Sequence, residues 1–302
     1  MSGINTNRSN ISLPTEVSAE IMQKAQEQSA VMKLAKKIPL PGKGLTIPVI
    51  TGDPQAAWVG ETNKKPVSDP GITQKIMQGY TVAVIVPFSN QFKRDARALY
   101  DALVERLPLA LGQKFDNTVF GGCDAPGSNF DTFSSVTAQS IDNDAVYDAL
   151  VAADTDIAVH GGILNGYALS PQAKGVLLGA KDTTKRPLFI NSAAEGAVPM
   201  LLGAKVTYSK AAYIAGTSGS GSVAPQGGAT PDVLGVAGDW TQALYGIVEN
   251  VQVSLSDQAT LTIDGELVSL FERNMFAVRA EMEVGFRADT TVFNRITRTH
   301  SA

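Results

Sequence analysis

The chain runs to 302 residues, with 44% apolar and 18% charged side chains and a formal net charge of −4. That is enough for one large domain or two ordinary ones with a buried core, which excludes a disordered chain. The acidic balance argues against a dedicated nucleic-acid binder, which carries a basic face, but leaves open a container whose inner wall tolerates nucleic acid.

A single cysteine, Cys123, gives no internal disulfide framework and fits a reducing compartment. The polar N-terminus lacks the apolar run of a secretory signal. No stretch approaches the ~20 apolar residues of a membrane span.

In chain order, residues 1–14 read as a flexible polar arm. A helix is expected from Thr15, whose hydroxyl can cap it, to Ile38. Glu16 and Glu20 near its start and Lys33, Lys36 and Lys37 near its end suit the helix dipole. Residues 39–80 are punctuated by Pro and Gly, and only Leu45–Ile50 alternates as a strand does, with Pro48 confining it to an edge or bulge. Such a segment cannot build its own core. Trp58 stands in it as a candidate interface anchor, with local packing as the plain alternative.

Residues 80–88 predict a strand with Val82, Val84, Val86 and Phe88 on one face. Gln91–Phe120 predicts the dominant element, a helix of about 40 Å with an apolar stripe through Leu103, Leu107, Leu111 and Phe115. Pro108 is expected to bend it or split it into two helices end to end, and Gly121-Gly122 to stop it. Residues 121–135 read as a loop. Asp142 is expected to cap a helix carrying Ala145, Val146, Ala149 and Leu150, and 157–168 to hold a short strand and a glycine turn. Ser170-Pro171 marks a helix start. Lys205–Ser209, 247–256 and Thr291–Thr297 read as strands, 267–286 as apolar and mixed, and 216–230 as a mobile low-complexity loop.

Catalytic motifs are missing. There is no phosphate-binding loop and no dinucleotide fingerprint. His160 lies in a His-Gly-Gly turn, but no GxSxG elbow accompanies it. Cys123 has no histidine partner nearby in sequence, and Asp142, Asp144, Asp148, Asp154 and Asp156 lack the glycine and terminal glutamate of a calcium loop. No catalytic, cofactor or metal site is expected.

An ordered series of weak signals covers residues 12–298. It comprises Ala57-Trp58-Val59-Gly60-Glu61, Lys65-Pro66, Asp69-Pro70, the strand into Phe88-Ser89-Asn90, the long helix ending in Phe120-Gly121-Gly122, Leu169-Ser170-Pro171, Leu202–Val206, Gly238-Asp239-Trp240 and Phe271–Arg279. In this order the sequence resembles major capsid proteins of tailed bacteriophages with the HK97-like fold. The resemblance implies an α+β fold in named parts. These are an N-terminal arm (1–38), an extended E-loop (39–80), a peripheral domain built on the spine helix (81–135) with a return segment (248–284), an axial domain (136–247), and a final axial strand with the C-terminus (285–302).

It further implies self-assembly through pentamers and hexamers into an icosahedral shell around double-stranded DNA, inside a virion assembled in the host cytoplasm. Trp58 would anchor the E-loop on a neighbouring subunit, with Glu61, Lys64 and Lys65 as charged contacts. No cofactor, membrane or sequence-specific DNA contact is implied. A separate scaffolding protein, a portal and a decoration protein are the further partners it allows. Some relatives carry an N-terminal scaffolding extension, but here the sequence begins at the arm. Some cross-link a loop lysine to an asparagine; Lys43, Lys64 and Lys65 lie in the right region, but no partner is identifiable and no cross-link is expected. The rivals are an encapsulin-like compartment with protein cargo and an enzyme of unrecognised type.

Overall fold

The structure, a computed structural model, describes residues 29–50, 58–59, 64–65, 72–90, 96–142, 146–181, 184–189, 200–217, 230–263 and 265–300. The expected arm (1–14) and the start of the expected first helix at Thr15 lie outside them.

The first described element is a short helix, α1 (Ala30–Leu34), and it departs from expectation. Ser29 has extended backbone and its side chain accepts from Met32 N, so a helix begins there instead of passing through. Lys36–Pro39 then forms β1, which pairs in parallel with β10, so Lys36, Lys37 and Ile38 are strand residues. Within the described part of that stretch the chain changes from helix to strand, and sheet pairing decided the second.

β2 (Leu45–Ile50) and β3 (Ile72–Met77) form a separate two-stranded antiparallel ribbon. Both strands are edges, which is where a strand proline such as Pro48 is tolerated. β4 (Tyr80–Ser89) packs Val82, Val84, Val86 and Phe88 against the main core, as their alternation requires. α2 (Ala96–Val119) is one helix of 24 residues, roughly 36 Å long. The expected division at Pro108 does not occur. Leu107, Leu111, Phe115 and Val119 are buried along one face, and that burial outweighs the ~3 kcal/mol a helix proline costs. The stop falls where the glycines put it. Gly121 adopts φ +85°, its N–H donates to Thr118 O, and the Gly122 N–H donates to Asn117 O at 2.8 Å.

β5 (Thr137–Ser140) leads to α3 (Val146–Val159). Residues 143–145, where Asp142 was expected to cap the helix, lie outside the described residues; the Asp142 carboxylate accepts from Ser140 Oγ and from Thr299 N and Oγ, fastening the C-terminal end to β5. The strand expected in 157–168 is β6 (Gly166–Leu169), and residues 157–159 still belong to α3. α4 (Pro171–Gly179) starts at Ser170, whose hydroxyl accepts from Ala173 N. β7 (Met200–Leu201), β8 (Ala204–Tyr208), β9 (Asp232–Gly238) and β10 (Ala243–Ser256) follow, then the hairpin β11 (Thr260–Ile263)–β12 (Glu266–Ser269), β13 (Met275–Ala288) and β14 (Phe293–Arg298). Residues 218–229 of the low-complexity stretch lie outside the described residues.

These strands form a four-stranded sheet, β1-β10-β13-β4, and a six-stranded sheet, β5-β14-β9-β6-β8-β7. α2 packs on the first; α3 and α4 pack on the second over a smaller core. Besides the long connection from β4 through α2 to β5, the chain crosses directly between the sheets twice, from β9 to β10 and from β13 to β14. Each crossing is a 3-10 turn opened by an aspartate. Asp239 accepts from Thr241 N and Asp289 from Thr291 N. The two turns also bond each other, Asp239 N to Val292 O and Asp289 N to Gln242 O. Beneath them Phe133 stacks on Phe293 at 4.5 Å, and Trp240 meets both edge-on. The result is an α+β fold whose larger core is continuous across both sheets.

Candidate assembly surface

Sequence reasoning named Trp58, Glu61, Lys64 and Lys65. The structure puts Trp58, Lys64 and Lys65 on the connection between β2 and β3, all exposed, and Trp58 is 105% exposed. Glu61 lies outside the described residues. A fully solvated indole leaves a large apolar area in water.

The ribbon that carries this connection is held at its root. Leu40 and Met77 are buried and lie over Gly246 and Gly285, which pair across β10 and β13. Arg287 binds the same place. Its guanidinium donates to Ile76 O at 2.8 Å, to Asp131 Oδ1 at 2.7 Å and to Asn129 Oδ1 at 2.9 Å. Lys75 Nζ donates to Ala288 O at 3.0 Å and lies 3.7 Å from Asp131. The ribbon therefore leaves the sheet from a fixed base.

A second anchor fastens the segment before β1. Asp116, on α2, is fully buried. It accepts from Ser29 Oγ at 2.5 Å, Ala30 N at 2.8 Å, Val31 N at 3.3 Å and Ser209 Oγ at 3.1 Å. Burial pushes its carboxyl up to about 6, although the four donors pull the other way. The carboxylate of the long helix thus supplies the N-terminal capping of α1.

Sequence reasoning missed other exposed apolar residues: Val159 and Ile163 at the end of α3, Leu267 and Phe271 at the β11–β12 hairpin, and Ile85 on the outer face of β4. It also missed the glycine pair, whose signal was present, since glycine inside a strand pattern often marks a close backbone approach.

The catalytic candidates do not converge. The His160 ring sits 2.8 Å from the Asp156 carbonyl at the exposed end of α3. Cys123 Sγ accepts from Lys114 Nζ at 3.2 Å and from Asn117. Among the described residues no group of three side chains could hold a metal, and no helix is long and apolar enough to cross a membrane.

Apolar side chains, Trp58 among them, stand exposed on a two-sheet body. The model of the family described as "Phage capsid family" matches residues 10–289. The chain belongs to the phage capsid family. Its relatives include the probable major capsid protein gp17 of Mycobacterium phage L5, 29% identical over 94% of this chain and 89% of that protein. The corresponding protein of Mycobacterium phage D29 is 28% identical over 92% and 86%. Among solved structures, a chain from Microbacterium phage Oxtober96 superposes with a TM-score of 0.69 at 20% identity, covering 99% of this chain and 95% of that one. The HK97-like capsid fold implied by the sequence is the fold observed. Membership in this family makes the chain a structural protein of the virion shell, not an enzyme.

Proposed function

We propose that this protein is the major head subunit of a tailed bacteriophage. It self-assembles through pentamers and hexamers into an icosahedral shell that encloses double-stranded DNA without reading its sequence. The observation that carries the reading is the family match across residues 10–289, with relatives named as major capsid proteins.

In this reading residues 1–38 are the arm and 39–80 the E-loop. Residues 81–135 with the return segment 248–284 form the peripheral domain. Residues 136–247 form the axial domain, and 285–302 supply its final strand and the C-terminus. Support comes from the way the two sheets share the chain, with β4, β10 and β13 in one and β5 to β9 with β14 in the other. Trp58 anchors the E-loop on a neighbouring subunit, with Glu61, Lys64 and Lys65 as charged contacts; the full exposure of Trp58 supports this. Surface ion pairs contribute only about 0–1 kcal/mol each, so shell stability arises from apolar burial repeated over many copies.

Assembly takes place in the host cytoplasm, and this reading allows a separate scaffolding protein, or none, with a portal and a decoration protein as further partners. The test is the content of particles purified from infected cells. Nuclease-protected double-stranded DNA is expected. Particles filled with enzyme cargo and free of DNA would favour a protein compartment and contradict this reading.

A further inference from the structure

Three parts of the chain meet at Asp116. The long helix α2 supplies the carboxylate, the start of α1 supplies three donors, and Ser209, directly after β8, supplies a hydroxyl from the second sheet. The four bonds divide between the two oxygens. Oδ1 accepts from Ser29 Oγ and Val31 N, and Oδ2 from Ala30 N and Ser209 Oγ. Each serine also opens its own turn. Ser29 Oγ accepts from Met32 N, and Ser209 Oγ from Ala211 N at the head of the 3-10 turn Lys210–Ala212. Among the described residues the hydrogen bonds of Ser209 run to Asp116, Leu169, Ala211 and Ala212, and none reaches residues 29–34. One buried carboxylate therefore fastens α1 and the 3-10 turn to the long helix.

No charged side chain faces this carboxylate. Lys33 on α1, Arg106 and Lys114 on α2 and Lys210 on the 3-10 turn are exposed, and Lys114 donates to Cys123. On the sheet beneath α2, the core side chains of β4 and β13 are apolar apart from Tyr80, whose hydroxyl accepts from Asn129 N. Arg279, Glu281, Glu283 and Arg287 alternate with that core along β13 and so lie on the opposite face. The charge of Asp116 is met by neutral donors alone, and burial holds its carboxyl up at about 6. A buried charge so placed loses much when one donor leaves.

We propose that Asp116 is a conformational joint that couples the seating of the second sheet, sensed through Ser209, to the hold on residues 29–34. Drawing Ser209 away from the long helix strips Oδ2 of one of its two donors and loosens the cap of α1. Lifting residues 29–34 strips the carboxylate of three donors and frees the 3-10 turn, since coupling between two sites is reciprocal. The joint is proton-dependent. The folded-state value lies above the ordinary 3.8, so the hold is fully present below about pH 4 and weakens as pH rises through about 6. Lifting residues 29–34 then returns an ionised group to water. None of this depends on the shell reading, because the joint lies within one subunit.

The test is hydrogen exchange on full-length subunits at pH 4.5 and pH 7, corrected for the intrinsic pH dependence of amide exchange. Ser209→Ala removes a hydroxyl that touches none of residues 29–34. It should nevertheless lower the protection of the Ala30, Val31 and Met32 amides about tenfold at pH 7, the size of a lost hydrogen bond to a charged group, while α4 keeps its protection. Ser209→Thr keeps the hydroxyl and should retain that protection. Ser29→Ala should in turn lower protection at Ala211 and Ala212. Both cross effects should vanish when the same serine changes are made beside Asp116→Asn. In the wild type, protection of residues 30–32 should fall between pH 4.5 and pH 7. A Ser209→Ala effect confined to residues 210–212 would overturn the inference. So would cross effects that persist beside Asp116→Asn, or protection of residues 30–32 that does not change with pH.

Discussion

Gly246 and Gly285 stand opposite one another on β10 and β13, and the root of the projecting ribbon rests on both. A Cβ on Gly246 would lie 2.7 Å from Leu40 Cβ, and one on Gly285 would lie 2.5 Å from Gln78 O and 3.0 Å from Met77 Cγ. The bare stretch of sheet is what lets Leu40 and Met77 sink to 4% and 0% exposure. Gly246→Val or Gly285→Val should therefore lift the root at a cost of about 1–3 kcal/mol, the range for overpacking. Denaturant melts should show the loss. Hydrogen exchange should quicken at residues 72–77 while α3 and α4 keep their protection. Unchanged exchange at β3 would mean that the root does not depend on this contact.

Arg287 holds the same root by polar contacts, with its side chain 11% exposed and donating to Ile76 O, Asp131 and Asn129. Arg287→Met keeps much of the stem but leaves Asp131 with only Lys75 and the Ala288 N–H. A loss of about 2–3 kcal/mol is expected, in the range for hydrogen bonds to charged groups. Arg287→Lys should recover only part of it, because an ammonium cannot span three acceptors as a guanidinium fork does. Thermal melts of the two variants decide the point, and equal stability would contradict the account in which the guanidinium spans three acceptors.

Asp116 sets a pH dependence of defined sign. Its folded-state value of about 6 lies above the ordinary 3.8, so the native protein holds more protons than the unfolded chain between those limits. Its contribution to stability is fully present below about pH 4 and is lost as pH rises through about 6. The shift is worth about 3 kcal/mol. Asp116→Asn lacks this titration, so the stability of the wild type relative to the variant should fall from pH 4 to pH 7. Urea unfolding of both proteins across that range is the measurement, and a flat difference would contradict the burial argument. The same experiment with hydrogen exchange should place the change at residues 29–34, the segment that Asp116 caps.

Mature particles should carry no covalent link between subunits. Boiled in SDS, they are expected to run as monomers. A ladder of multimers would show that one of Lys43, Lys64 or Lys65 finds an asparagine on a neighbour.

Much of this architecture is readable from residues. The alternation Val82, Val84, Val86, Phe88 and the pair Ser170-Pro171 each specify their element locally, and each element forms as read. The helix stop at Gly121-Gly122 is equally local, a left-handed glycine closing two backbone bonds. The split allowed for at Pro108 and the helix read through Lys36–Ile38 did not form because the deciding interaction is distant: burial of Leu107 and Leu111 in one case, pairing with β10 in the other. β9 is glycine-rich and buried on both faces, so it carries no alternation to read. At the candidate surface, the exposure of Trp58 was legible because it stands in a segment too poor in apolar residues to bury it. Asp116 was not, since a lone aspartate on a helix is usually solvated and its four donors come from segments 85 or more residues away in sequence.

The most direct test of the shell account is negative-stain electron microscopy of the purified protein, with light scattering on the same sample. The account predicts hollow round particles, or pentamers and hexamers that close into particles when the scaffolding protein is added. A chain that stays monomeric at high concentration, with crowding agents and with the scaffold present, would contradict it.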